Sequence, residues 1–142
     1  MNKVVILMFI FLVTSCDPMD DKLVVLNTSK HKVLVRTCFL DGDTIYDTWG
    51  GVRLIESETE RVVAIMGNWE SEFRASGIEE LSFLVHNAAA LNLAMGLDDD
   101  YQSISDSLVA RGEYVVQSYT YDDLEQIEWK VVYPESHKNN SD

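Results

Sequence analysis

The chain has 142 residues, 46% of them hydrophobic and 25% charged, and its 24 acidic against 11 basic side chains give a formal net charge of −13 at pH 7. That is the composition of one ordinary globular domain with an acidic surface. It excludes a nucleic-acid binder working through a basic footprint, a collagen-like or low-complexity chain, and a disulfide scaffold, since only Cys16 and Cys38 are present.

Residues 1–15, MNKVVILMFIFLVTS, hold 11 apolar side chains and a single charge, Lys3. A short positive start, an unbroken apolar run from Val4 to Val13 and the small polar Thr14 and Ser15 form the three-part layout of a secretory signal. Ten residues rise only about 15 Å as a helix, roughly half of the ~30 Å hydrocarbon layer, so the run is too short for a permanent span. A buried strand or core helix is disfavoured because the run has no polar face.

Leu12-Val13-Thr14-Ser15-Cys16 ends in four residues that resemble the lipobox of bacterial lipoproteins, with the cysteine as mature N-terminus. The resemblance implies a diacylglyceryl thioether on Cys16, usually with an amide-linked third chain. One chain binds only marginally, and two or three make a lasting anchor. Asp17-Pro18-Met19-Asp20-Asp21-Lys22 follows, and the expectation is a solvated tether over residues 16–21 that is too polar to pack. It is similar to the acidic stretch after the lipidated cysteine in surface-displayed lipoproteins of Bacteroides-like bacteria, which implies the outer membrane, while an aspartate after the cysteine implies inner-membrane retention in enteric bacteria. The outer membrane, and its outer face, is the expected location.

Removing the 15 signal residues, Lys3 among them, leaves 127 residues with a net charge of −14. Such a length buries about two-thirds of its unfolded surface, enough for one core without a disulfide. Cys38, without a partner once Cys16 is acylated, is expected to be a small buried hydrophobe.

In chain order, Lys22 to Asn27 and His31 to Phe39 read as two strands of a hairpin joined by Asn27-Thr28-Ser29-Lys30. Asp41-Gly42 signals a turn into a third strand near Asp43 to Asp47, and a loop containing Thr48-Trp49-Gly50-Gly51 precedes a strand from Arg61 to Met66. Asn68 is placed to cap a short helix carrying Trp69 and Phe73 on one face, with Glu70 and Glu72 at its positive end and Gly77 as its left-handed stop. Glu80 to Val85 is the next strand, and Ala88 to Met95 favours helix with almost no polar face. Ser103 and Asp106 are arranged as a capping box opening a helix to Ala110. Tyr114 to Thr120 reads as a strand and Thr120-Tyr121-Asp122-Asp123 as a capped turn with a Tyr119–Leu124 staple. From there Ile127, Trp129, Val131 and Tyr133 alternate on one strand face until Pro134.

About seven short strands with helical turns in the connections predict a mainly β chain, an antiparallel β-sandwich, with an α+β arrangement of helices packed on one sheet as the alternative. The expected organisation is a cleaved signal peptide over 1–15, lipidated cysteine and tether over 16–21, one globular domain over 22–134 and a flexible tail over 135–142. The closing strand–turn–strand, Met66-Gly67-Asn68-Trp69-Glu70 and the lipobox together resemble small uncharacterised Bacteroides-type envelope lipoproteins. The resemblance covers about half of the mature chain and implies a location and a fold, and no activity.

Chemistry-bearing patterns are sparse. The motif G-x-S-x-G does not occur, and His31, His86 and His137 lie in a turn, at a strand end and in the tail. Cys38 with His86 is conceivable as a thiol pair, of a kind that arises by chance. Asp98-Asp99-Asp100 lacks the alternating spacing of a calcium loop, and no glycine pattern for phosphates or dinucleotides is present. Neither a metal nor a cofactor is therefore expected, and no catalytic residue is nominated. The leading expectation is a lipid-anchored, non-enzymatic binding or accessory module whose acidic field favours a basic envelope or extracellular protein and disfavours nucleic acid. Trp49, flanked by Gly50 and Gly51 in a loop, is the candidate anchor for that partner, although a Trp folding back into the core is the commoner outcome. The alternatives are an envelope glycan- or peptide-hydrolysing enzyme and a carbohydrate-binding module.

Overall fold

The computed structural model describes residues 18–87, 91 and 100–134. The signal segment, Cys16, the run Ala88 to Met95 apart from Leu91, Asp98, Asp99, His137 and the tail lie outside the described residues. Within them the chain is mainly β. Its strands are β1 (Met19–Asp20), β2 (Val24–Asn27), β3 (Val33–Asp41), β4 (Thr44–Ile55), β5 (Thr59–Val62), β6 (Ile65–Met66), β7 (Glu80–His86), β8 (Val115–Thr120) and β9 (Lys130–Tyr133). Three short helices, α1 (Trp69–Ser76), α2 (Tyr101–Ala110) and α3 (Tyr121–Gln126), fill the connections.

A four-stranded antiparallel sheet in the order β4-β3-β7-β8 faces a three-stranded sheet in the order β5-β2-β9. Leu81, Phe83 and Val85 of β7, with Val33, Val35 and Phe39 of β3, meet Val25 and Val131 of the smaller sheet, and Leu23 just before β2, to form the main core. The opposite face of β3 carries Leu34, which packs with Val52, Leu91, Ile104 and Leu108 in a second cluster beneath α2. Both faces of the large sheet are therefore covered, which is why β3 and β7 read as near-continuous apolar runs. The sandwich expectation holds, and the helix-covered face supplies part of the α+β alternative as a third layer.

Several local expectations hold. Asn68 caps α1 by accepting from the Ser71 N–H, and Gly77 closes it at φ 66°. Thr120 and Asp123 form a complete capping box at the start of α3. Trp69 is fully buried, and Phe73 stacks edge-on against Phe39 at 5.3 Å.

Others are corrected. β2 and β3 do not form a hairpin: β2 pairs antiparallel with β5 and parallel with β9, while β3 lies in the large sheet. The buried Asn27 makes this corner, donating to His31 O (2.7 Å) and Glu56 O (3.1 Å) and accepting from the Ser29 N–H (3.0 Å). These bonds satisfy the backbone where the chain leaves one sheet for the other. The single strand expected from Arg61 to Met66 is split into β5 and β6.

At the C-terminus Ile127 caps α3, and Glu128 and Trp129 take left-handed backbone angles. Strand alternation thus starts only after Trp129. Helix α2 begins at Tyr101 with Asp100 as its cap, because the Asp100 carboxylate accepts from the Ser103 N–H at 2.7 Å. The expected Ser103 box is therefore not the start of the helix. Finally, residues 18 to 20, expected to be too polar to pack, are tied to the fold. Met19 and Asp20 pair with Met66 and Ile65, and Pro18 O accepts from the Gly67 N–H.

Candidate functional site

Trp49 stands on an irregularity in β4. Arg36 pairs with Val52 and Cys38 with Asp47, so residues 48 to 51 of β4 all lie opposite the single residue Thr37. Such a bulge re-aims side chains. The Thr48 hydroxyl donates to Thr37 O at 3.0 Å and accepts from the Gly50 N–H at 3.2 Å. Gly50 has no room for a side chain, since a Cβ there would sit 2.5 Å from Val63 Cγ1, and Gly51 takes φ +62°. Both glycines are thus required by the bulge, and Trp49 emerges 70% exposed. The core-plug expectation is overturned: the positions facing inward at this point belong to Thr48 and Gly50, both buried.

Two residues before Trp49, Asp47 joins a cluster around Arg36, on the sheet face that α2 covers. Arg36 is only 5% exposed. Its Nε and Nη2 donate to the two oxygens of Asp47 at 2.6 and 2.8 Å, and its Nη1 donates to Asp106 at 2.7 Å. The Asp47 hydrogen bonds, reinforced by Asp106, hold the guanidinium above its ordinary pKa against the opposing effect of burial. Gln102 donates weakly to Asp47 and Asp106 from the rim. The side chains of Asp47 and Asp106 are 40% and 58% exposed, so two carboxylates on one buried cation present a net negative rim to solvent.

Sequence reading missed a second polar group under α2. His86 Nδ1 lies 2.9 Å from Glu113 O, and Nε2 lies 2.9 Å from Ser105 Oγ. A carbonyl can only accept, so Nδ1 carries the proton and Nε2 accepts from the Ser105 hydroxyl. The polarity is that of a base and a nucleophile, yet both side chains are fully buried and Tyr114 packs edge-on against the imidazole, its ring centre 6.4 Å away. Burial, aided by the positive charge of Arg36, sets the His86 pKa below its usual value, against the opposing pull of the Glu113 carbonyl and carboxylate. The arrangement docks α2 and gives no substrate access. A signal for it existed in principle, because Ser105 and Leu108 sit on the apolar face of α2 with Ile104.

The thiol pair is not assembled. Cys38 pairs with Ser82 and His86 with Leu34, four residues or about 13 Å apart along the sheet. Cys38 is fully buried and free, and burial pushes its thiol up to about 12. His31 lies exposed in its turn. Asp100, the described member of the acidic triplet, is spent on capping α2, and the Ser103 N–H holds its pKa below the usual range. Among the described residues no group of three metal-ligating side chains forms, and no helix is long and apolar enough to cross a membrane. A shallow open cleft of about 490 Å³ lies between α1 and α3, where Arg74, Glu79 and Asp122 rim Phe73, Ile78 and Tyr121.

No family model, curated protein or solved structure matches the chain.

Proposed function

We propose that the chain is a lipid-anchored cell-envelope lipoprotein, held at the outer membrane through Cys16, that acts as a non-enzymatic binding or accessory module for a basic envelope or extracellular protein. The observation that carries the binding reading is the 70% exposure of Trp49 on a bulge fixed by Gly50 and Gly51. Tryptophan is over-represented among the residues that dominate interface energies, and a preformed strand position loses little conformational entropy on binding. The negative rim of Asp47 and Asp106 beside it selects for Lys- or Arg-bearing surfaces. The lipid anchor is supported by the lipobox Val13-Thr14-Ser15-Cys16 after the apolar run.

Labelled palmitate incorporated by the native chain and lost in Cys16→Ser tests the anchor, and protease shaving of whole cells tests exposure. For the binding reading, envelope extracts are passed over the immobilised mature domain and over Trp49→Ala at low and high salt. The screening length falls from ~30 Å at 0.01 M to ~3 Å at 1 M, so the expected partner is retained at low salt, released by high salt, and lost in the variant. Retention indifferent to both salt and Trp49 rejects the reading.

A further inference from the structure

The packed start of the described chain determines how close an anchor at Cys16 holds the domain. Pro18 O accepts from the Gly67 N–H at 3.1 Å, and Met19 and Asp20 pair with Met66 and Ile65. The Asp20 carboxylate accepts from the backbone N–H groups of Trp69 (3.1 Å) and Lys22 (3.2 Å). The Lys22 ammonium rests 3.8 Å from the centre of the Trp129 ring system. Only Asp17 therefore separates Cys16 from a residue tied to the fold. A chain advances at most ~3.6 Å per residue, so the Cα of Met19 lies within about 11 Å of the Cα of Cys16. The headgroup region on each side of a bilayer is itself roughly 5–8 Å deep.

At that place the surface is apolar. Met19 and Met66 are 65% and 56% exposed and face each other across the β1–β6 pair, a spacing that brings their side chains together. Val62, exposed as well, sits at the same end of the small sheet, where it pairs with Val24. Methionine side chains are flexible and polarisable and fit irregular apolar surroundings. Of the described acidic residues flanking Met19, Asp20 is turned onto backbone donors with a side chain only 14% exposed, while Asp21 is exposed to solvent.

We infer that Met19 and Met66 form a lipid-contacting patch that seats the domain on the interfacial layer of the bilayer in one orientation. The inference rests on the Cys16 anchor of the preceding reading. It places the Val24–Val62 end of the small sheet against the membrane and the Asn27–Thr59 end, with the turn at Lys30, away from it.

The test uses the full processed chain inserted into preformed phosphatidylethanolamine–phosphatidylcholine vesicles, with either the native tether or twenty Gly/Ser residues added between Cys16 and Asp17. Such an insert has an r.m.s. reach of about 25 Å and frees the domain from the surface without touching the fold. Both proteins carry Lys30→Met as a distal reporter and are exposed to periodate, a charged oxidant confined to water. Sulfoxide formation at each position is followed by mass spectrometry. Met19 and Met66 are expected to oxidise roughly fivefold more slowly with the native tether than with the long one, while position 30 oxidises equally in both. Equal rates at Met19 and Met66 in the two proteins, with acylated Cys16 seen in the same spectra, overturn the inference and leave the anchor standing. A Cys16 peptide without acyl mass removes the anchor itself and the inference with it.

Discussion

The Arg36 cluster gives a ranking of substitutions that depends on its geometry. Asp47 holds Nε and Nη2 with two short bonds, and Asp106 holds Nη1 with one. Removing the partner of a buried charge costs about 3–5 kcal/mol where nothing compensates it. In Asp47→Asn the guanidinium, 5% exposed, keeps Asp106 and a neutral acceptor, so the expected loss falls to about 2 kcal/mol. Asp106→Asn removes one bond to a side chain that is 58% exposed, and a loss of about 0.5–1 kcal/mol follows. Arg36→Met keeps most of the volume and removes the buried charge, but leaves two carboxylates side by side; about 1–2 kcal/mol is expected, between the other two. Urea unfolding of the mature domain, followed by tryptophan fluorescence, reads the order directly. With a slope near 2 kcal/mol/M, Asp47→Asn lowers the midpoint by about 1 M and Asp106→Asn by about 0.3–0.5 M. A loss from Asp106→Asn equal to or larger than that from Asp47→Asn refutes the reasoning, because it would mean that bond number and burial do not set the hierarchy.

Protonation of His86 supplies a pH dependence. Its folded pKa is depressed, so below the unfolded value of about 6.5 the unfolded chain takes up a proton that the folded chain refuses. Stability should therefore be full above that pH and fall as the pH drops toward the folded pKa. His86→Gln, which keeps a donor and an acceptor, should flatten that part of the profile, and an unchanged slope would count against the assignment. Gly50→Ala should destabilise the domain by about 1–3 kcal/mol through the contact with Val63, whereas Trp49→Ala should change the urea midpoint little, since the indole is exposed. Cys38 should resist an aqueous thiol reagent in the native domain and react at once in urea, because its buried thiol is held up at about 12; rapid labelling of the native form would contradict the packing.

What was legible in the sequence was local. Asn68, Gly77, Thr120 and Asp123 act over three or four residues, and each does what its chemistry predicts. Pairing partners were not legible, because a run such as Val24–Asn27 carries the same pattern whether it pairs with its neighbour or with a strand a hundred residues away. The decision rests with Asn27, whose amide reaches Glu56 O across the corner, and no spacing rule reveals a contact of that range. Trp129 misled for a related reason: its alternation with Val131 is real, but the left-handed angles at Glu128 and Trp129 confine the strand to the last four positions. For the site, the glycines after Trp49 were visible and their consequence was not, since the need at Gly50 arises from Val63 and Thr37, both remote in sequence, and that at Gly51 from its left-handed φ. His86 and Ser105 could not be joined as a pair from sequence alone, because they lie 19 residues apart and α2 is held to the large sheet through residues of β3 and β4 in the second core cluster.

The bulge at Trp49 is the feature for which packing alone gives no account. Burying an aromatic side chain stabilises a fold by about 1.5–3 kcal/mol, and this chain forgoes most of that while spending four residues of β4 opposite one of β3. It also places Gly50 and Gly51 in a strand, where glycine weakens the element by roughly 0.5–1 kcal/mol each. A continuous β4 with a residue of β propensity at each of these positions would be the more stable solution. The forgone stability falls on one exposed indole, beside two half-exposed carboxylates that share a buried arginine. Binding sites are the usual place for such local losses, because the side chain that would stabilise the fold is presented instead to a partner. The proposal accordingly predicts that straightening the bulge, by deleting residues 49 to 51, raises the unfolding midpoint while abolishing retention of the basic partner. If the deletion left retention intact, the bulge would have to be explained by folding alone.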